Sequence, residues 1–176
     1  MNDITIRTLS RQELTSWLAF LCRDVFPDDP PEVVRGIWEN DPAKDFGGVI
    51  VAAEPDGSIV GSFKAECCTL NLAGHSVRGG IVSGVGVKES RRGQGISRRL
   101  FDAGHRYLTE KGALVSHLYS NPDTLDFYLR LGCRTLPRKT GESFYRMYRL
   151  IRPFSVGENL IADSESLADF LKTGKA

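Results

Sequence analysis

The chain has 176 residues, 41% hydrophobic and 26% charged, with 23 Lys and Arg against 22 Asp and Glu for a formal net charge of +1. That length and apolar content suit one folded domain and exclude a wholly disordered chain. Near-neutrality excludes a global pull toward nucleic acid or an anionic membrane, and the absence of a basic start with an apolar run, or of any apolar stretch of about 18 residues, predicts a cytoplasmic chain.

Ile4-Thr-Ile-Arg-Thr-Leu9 alternates as a half-buried strand, and Ser10 with Glu13 has the spacing of a capping box. A helix through about Phe26 follows, with Leu14, Trp17, Leu18, Leu21 and Val25 at helical spacing. The prolines from Pro27 to Pro31 break it before a second short helix, Glu32 to Trp38. Gly48 to Ala53 reads as a strand, Asp56-Gly57 as a hairpin turn, Ile59 to Leu70 as the returning strand and Val77 to Val87 as the fourth, giving an antiparallel meander.

A helix is expected from Ser97 to about Lys111, then a strand from Ala113 to Tyr119. Asn121-Pro122-Asp123 starts a helix, Thr124 to Leu131, that Gly132 stops before strands at Cys133 to Leu136 and Phe144 to Ile151. In the remainder, Asp163 or Ser164 caps a short helix whose face of Leu167, Phe170 and Leu171 must dock on its own domain or on a second copy, so a homodimer is one expectation.

The four cysteines, Cys22, Cys67, Cys68 and Cys133, form no CxxC pair and no zinc spacing with His75, His105 and His117; reduced, buried thiols and no metal are expected.

The stretch richest in chemical information is Ser83-Gly-Val-Gly-Val-Lys-Glu-Ser-Arg-Arg-Gly-Gln-Gly-Ile-Ser97, an apolar strand leading through a basic, glycine-rich turn into a helix. Glycines let backbone N–H groups approach an anion, and a helix start adds positive potential, so the turn suits a pyrophosphate. A Walker loop is excluded because no Lys-Ser/Thr follows the glycines. A dinucleotide fingerprint is excluded because Glu89 stands where the third glycine belongs. Lys88, Arg91, Arg92, Arg98 and Arg99 surround the turn; as a nucleic-acid patch they lack interleaved aromatics.

Arg92-Gly93-Gln94-Gly95-Ile96-Ser97 resembles the pyrophosphate loop of the GCN5-related N-acetyltransferase (GNAT) superfamily, Arg/Gln-x-x-Gly-x-Gly/Ala, with Ser97 replacing the last small residue. Asn121, Thr124, Tyr128, Gly132 and Cys133 are similar in spacing to the later signature Asn-x-x-Ala-x-x-x-Tyr-x-x-x-Gly-Phe, with Thr124 and Cys133 as departures. Val-Gly-Val followed by Arg-Arg-Gly also resembles, more weakly, the amino-terminal domain of Eis-type acetyltransferases.

The resemblance implies an α/β (α+β) fold over residues 1–151, a mixed, twisted sheet of about seven strands flanked by helices and split between strands four and five, with 152–176 as an extension. It implies acetyl-coenzyme A as cosubstrate and direct transfer to a primary amine of a small molecule or peptide. Val85, Gly86 and Val87 would then bond the pantetheine arm, with Asn121 on its other side; Arg92, Gly93, Gln94, Gly95, Ile96 and Ser97 would hold the pyrophosphate, and Tyr128 would be the general acid. A phenol beside the thioester sulphur can donate a proton to the departing thiolate whatever the family. The alternative is a coenzyme A-binding sensor or interaction module without catalysis. For a general base, Glu66 and His117 are the candidates.

Overall fold

The computed structural model describes residues 4–136, 138 and 140–173. The ends of the predicted amino-terminal segment (1–3) and carboxy-terminal extension (174–176) lie outside the described residues. One seven-stranded sheet has the order β1-β2-β3-β4-β5-β7-β6, made of β1 Thr5–Thr8, β2 Val49–Ala53, β3 Ile59–Leu72, β4 His75–Val87, β5 Val115–Ser120, β6 Arg134–Thr135 and β7 Tyr145–Leu150. A separate hairpin pairs β8 Phe154–Val156 with β9 Asn159–Ile161. The helices are α1 Leu14–Phe20, α2 Pro31–Glu39, α3 Ile96–Glu110, α4 Leu125–Arg130 and α5 Ser164–Thr173. The chain divides into two compact units, one within Met1–Glu66 and Val82–Tyr107, the other within Cys67–Ile81 and Leu108–Ala176.

In the first unit β2 reads VIVAA and every residue is buried, the signature of a strand covered on both faces. Its pairing with β3 carries a bulge between Ala52 and Ala53. Trp17 and Trp38 meet edge to face at 5.1 Å, Trp38 and Phe46 at 5.2 Å, and the Trp17 indole N–H donates to Ser62 Oγ at 2.8 Å, which satisfies the buried polar pair. The expected capping box of Ser10 and Glu13 forms, at the head of a 3₁₀ turn rather than directly on α1. The Glu13 carboxylate accepts from the Ser10 N–H and hydroxyl and from Arg7, so a 3₁₀ turn, Arg11–Glu13, precedes α1.

The long helix expected to run to Phe26 changes pitch after Phe20. Leu21–Val25 is a π turn whose last bond runs from Phe26 N–H to Leu21 O.

Against β3 lies α3. Phe63 and Phe101 stack edge to face at 5.5 Å, and a Cβ on Gly104 would fall 2.0 Å from the Phe63 ring. Only a glycine lets the helix approach this closely.

In the second unit β5 runs parallel to β4 from Gly79↔Val115 to Ile81↔His117 and antiparallel to β7. The parallel ladder ends at Ile81, while β4 continues to Val87. Leu167 and Phe170 of α5 are fully buried in a core with Leu72, Val77, Val115, Tyr148 and Phe154. This intrachain docking answers the question the apolar face raised. Asp163, not Ser164, caps α5: its carboxylate accepts from the Glu165 and Ser166 N–H groups, and Ser166 Oγ accepts from Asp163 N–H. The hairpin β8–β9 was not foreseen, because three-residue strands are too short to show alternation.

Replacing Gly104 by Ala should destabilise the protein by about 1–3 kcal/mol through overpacking against Phe63. Urea denaturation would show this as a lower midpoint at unchanged slope.

Candidate active site

The first unit holds the whole glycine-rich segment. Val85 and Gly86 are half-buried and Val87 is buried at the end of β4. Gly86 is required by the π turn, since a Cβ there would lie 2.7 Å from Val25 Cγ2. After Lys88 a 3₁₀ turn, Glu89–Arg91, leads to Arg92, Gly93, Gln94 and Gly95, all exposed. Gly93 and Gly95 sit at φ +77° and +72°, and no atom lies within 4 Å of where their Cβ atoms would be. The turn therefore combines left-handed backbone with open space, which a ligand can approach closely.

Helix α3 starts at Ile96, whose side chain is buried, and the Arg99 N–H closes the first turn on Gly95 O. Ser97 thus lies inside the first turn rather than capping it. The first amides of a helix generally lack an acceptor within it and lie at the positive end of its dipole, a fit for an anion.

The arginines divide by their contacts. Arg91 is spent on Glu54, its Nε donating at 2.6 Å, and Arg99 Nη2 donates to Ile4 O at 2.8 Å. Arg92 is exposed and its Nε donates to Val87 O at 3.2 Å. That bond ties the loop to the strand end.

Glu66, a base candidate, forms an ion pair with Lys64, whose Nζ also reaches Asp41 Oδ2 at 3.1 Å and lies 5.5 Å from the Trp38 ring centre. Burial pulls the Lys64 ammonium below its ordinary value, against Asp41, which raises it. A carboxylate that compensates a buried ammonium is poorly suited to carrying protons.

In the second unit Asn121 is exposed at the head of a 3₁₀ turn, Pro122–Thr124, and its carbonyl accepts from Thr124 N–H. Thr124 Oγ1 also lies 3.0 Å from Ser120 Oγ. Tyr128 is 8% exposed on α4 and meets Phe127 edge to face at 4.9 Å. Burial, with Cys133 adding to it, pushes the Tyr128 phenol far above its ordinary value, so it stays protonated at any physiological pH. The fully buried Cys133 thiol is pushed up to about 12 by burial, while Cys22, Cys67 and Cys68 are half-buried.

His117, the other base candidate, is half-buried on β5 and edge to face with Tyr119 at 4.9 Å. Burial first, and the charge of Arg146 second, hold its imidazole below 6.5, hence neutral at pH 7. Arg146 and Tyr148, which share this face, were missed from sequence, since nothing local reveals that β7 pairs with β5.

A family model described as the acetyltransferase (GNAT) domain matches residues 5–136. The chain belongs to the GNAT acetyltransferase family. Its fold is shared with several solved structures. The N-acetyltransferase YhbS from Escherichia coli, in complex with CoA, is 20% identical over 86% of this chain and 83% of its own, at a TM-score of 0.69. A family member from Brucella melitensis in complex with acetyl-CoA is 20% identical over 83% and 88%, at 0.60. Eis1 from Mycobacterium abscessus, at 20% identity and 0.62, covers 76% of this chain, which spans only 31% of Eis1. A search of curated protein sequences found no match. Among the described residues no helix is long and apolar enough to cross a membrane, and no group of three or more metal-ligating side chains is assembled.

The His117 ring protons should titrate below pH 6.5 by NMR, and Arg146→Gln should move that midpoint upward by removing a repelling charge. Because the folded-state value is depressed, the neutral ring's contribution to stability is full above about 6.5 and declines as pH falls toward the folded value.

Proposed function

We propose that the protein is an acetyl-coenzyme A-dependent N-acetyltransferase that acetylates a primary amine by direct transfer. The observation that carries this reading is the exposed turn of Gly93 and Gly95, left-handed and open, at the start of a fifteen-residue helix in a member of this family. When bound, acetyl-coenzyme A supplies the activated acetyl group as a thioester. The loop amides and Arg92 bind the pyrophosphate, and backbone groups of Val85, Gly86 and Val87 hold the pantetheine arm. The Val85 region polarises the carbonyl through its N–H groups.

The amine nitrogen forms a bond to the carbonyl carbon, the C–S bond breaks, and the thiolate takes a proton from Tyr128 Oη. Tyr128 suits that role because burial keeps its proton in place until a strong base appears beside it. With Glu66 committed to Lys64, His117 is the neutral group suited to accept the proton the amine releases. No covalent enzyme intermediate is needed.

Calorimetric titration should give saturable binding of acetyl-coenzyme A in the micromolar range, roughly −8 kcal/mol, weakened at least about 10-fold by Arg92→Glu. In a screen of amines, Tyr128→Phe should lower kcat about 100-fold with little change in acetyl-coenzyme A affinity. No binding by folded wild type would sink the reading; binding with no turnover of any amine would favour a coenzyme A sensor.

A further inference from the structure

The second unit holds a cavity of about 370 Å³ on the face of β5 and β7 that carries His117, a volume typical of small-molecule sites. A missing side chain makes room for its wall. Gly79 stands opposite Val115, and a Cβ there would fall 2.3 Å from Leu70 Cδ1, so the glycine admits Leu70 against the strand. Leu70, Leu72 and, from α5, Leu171 give the cavity an aliphatic wall.

One polar group in that lining lacks a partner. Tyr148 is 2% exposed, and its hydroxyl makes no hydrogen bond among the described residues. Such a group costs free energy until a ligand or water completes it. A water takes up roughly 30 Å³, so one bridging water would leave most of the cavity unfilled. His117 lines the same cavity directly opposite Tyr148 in the β5–β7 register, which sets the two side chains on one face with Cβ atoms about 5 Å apart. Burial first, and Arg146 second, hold its imidazole neutral, so the ring offers one donor and one acceptor nitrogen. Arg146, the cation in the lining, lies beside Glu142, Nε to Oε1 3.5 Å, and its charge is met there.

We propose that this cavity binds a small uncharged alcohol, aliphatic or aromatic, whose hydroxyl sits between Tyr148 and His117 and whose hydrocarbon body lies on the leucine wall. A hydroxyl both donates and accepts through one atom, so it completes the Tyr148 phenol and an imidazole nitrogen together. A carboxylate or ammonium head would be stripped of water against leucines, with the Arg146 charge already met by Glu142. A plain hydrocarbon would leave the Tyr148 hydroxyl unsatisfied and binds less well. Binding is assigned to the second unit alone; no step of acetyl transfer is given to the ligand, and the site does not depend on the acetyltransferase reading. The family match ends at residue 136, so Tyr148 and Leu171 lie outside the matched region.

The test is NMR titration of the full chain with benzyl alcohol and cyclohexanol, reading the His117 ring signals, against toluene and benzyl methyl ether as matched molecules without a hydroxyl. Benzyl alcohol should bind about 10-fold more tightly than toluene. Tyr148→Phe should erase that preference while toluene affinity stays within about twofold, and it should melt no lower than wild type, since the hydroxyl it removes is unsatisfied. Leu171→Trp, which narrows the cavity from α5, should weaken both alcohols about 10-fold or more and serves as the second variant if Tyr148→Phe folds poorly. Toluene that binds as well as benzyl alcohol, no binding of either alcohol, a preference that survives Tyr148→Phe, or binding unchanged in Leu171→Trp would overturn the assignment. A lower melting midpoint for Tyr148→Phe would overturn it too, by showing that the hydroxyl has a structural partner.

Discussion

The close approach of α3 to β3 is the constraint on which the first unit depends. Gly104 gives way to the Phe63 ring on the helix side, and on the strand side Gly61 gives way to Leu100, whose Cδ1 would lie 2.9 Å from a Cβ there. Two glycines on opposite partners let large side chains pack into backbone. The helix is thereby held against the strand along its buried face, and so its first turn is held as well. A loop that presents amides to an anion works only if those amides do not move when the anion arrives. Ile96, buried at the first position of α3, anchors the loop at that end, and the Arg92 bond to Val87 O anchors the other.

Desolvation sets the chemistry of the second unit. Tyr128, Cys133 and Tyr148 all have their neutral forms favoured by burial, and His117 is kept neutral for the same reason. In the proposed mechanism Tyr128 is the buried acid that must keep its proton and His117 the neutral base that must lack one. Lys64 in the first unit shows the opposite solution. There two carboxylates, Asp41 and Glu66, surround a buried ammonium, and the charges serve each other rather than a substrate.

Much of the fold was legible because its signals are local. The wholly apolar β2, the helical spacing of Leu14, Trp17, Leu18 and Leu21, the turn at Asp56-Gly57 and the basic glycine loop each announce themselves within a few residues. The π turn was not legible, since Leu21 to Val25 fits an α-helix equally well and the change of pitch puts Val25 against Gly86, far away in sequence. Nor was the fate of Glu66, whose pairing with Lys64 reflects a burial that strand alternation does not report.

The sequence by itself determined the family, the order of the main strands and helices up to Leu150 and the loop from Arg92 to Ser97, because glycines and their spacing encode backbone conformations that do not depend on distant neighbours. The tertiary structure alone decided which arginines are spent on structural contacts, where the carboxy-terminal helix docks and which side chains share the face with His117. Those answers depend on strand register. Sliding β7 by one residue against β5 would turn Arg146 and Tyr148 to the other face, and nothing in either strand taken singly states the register.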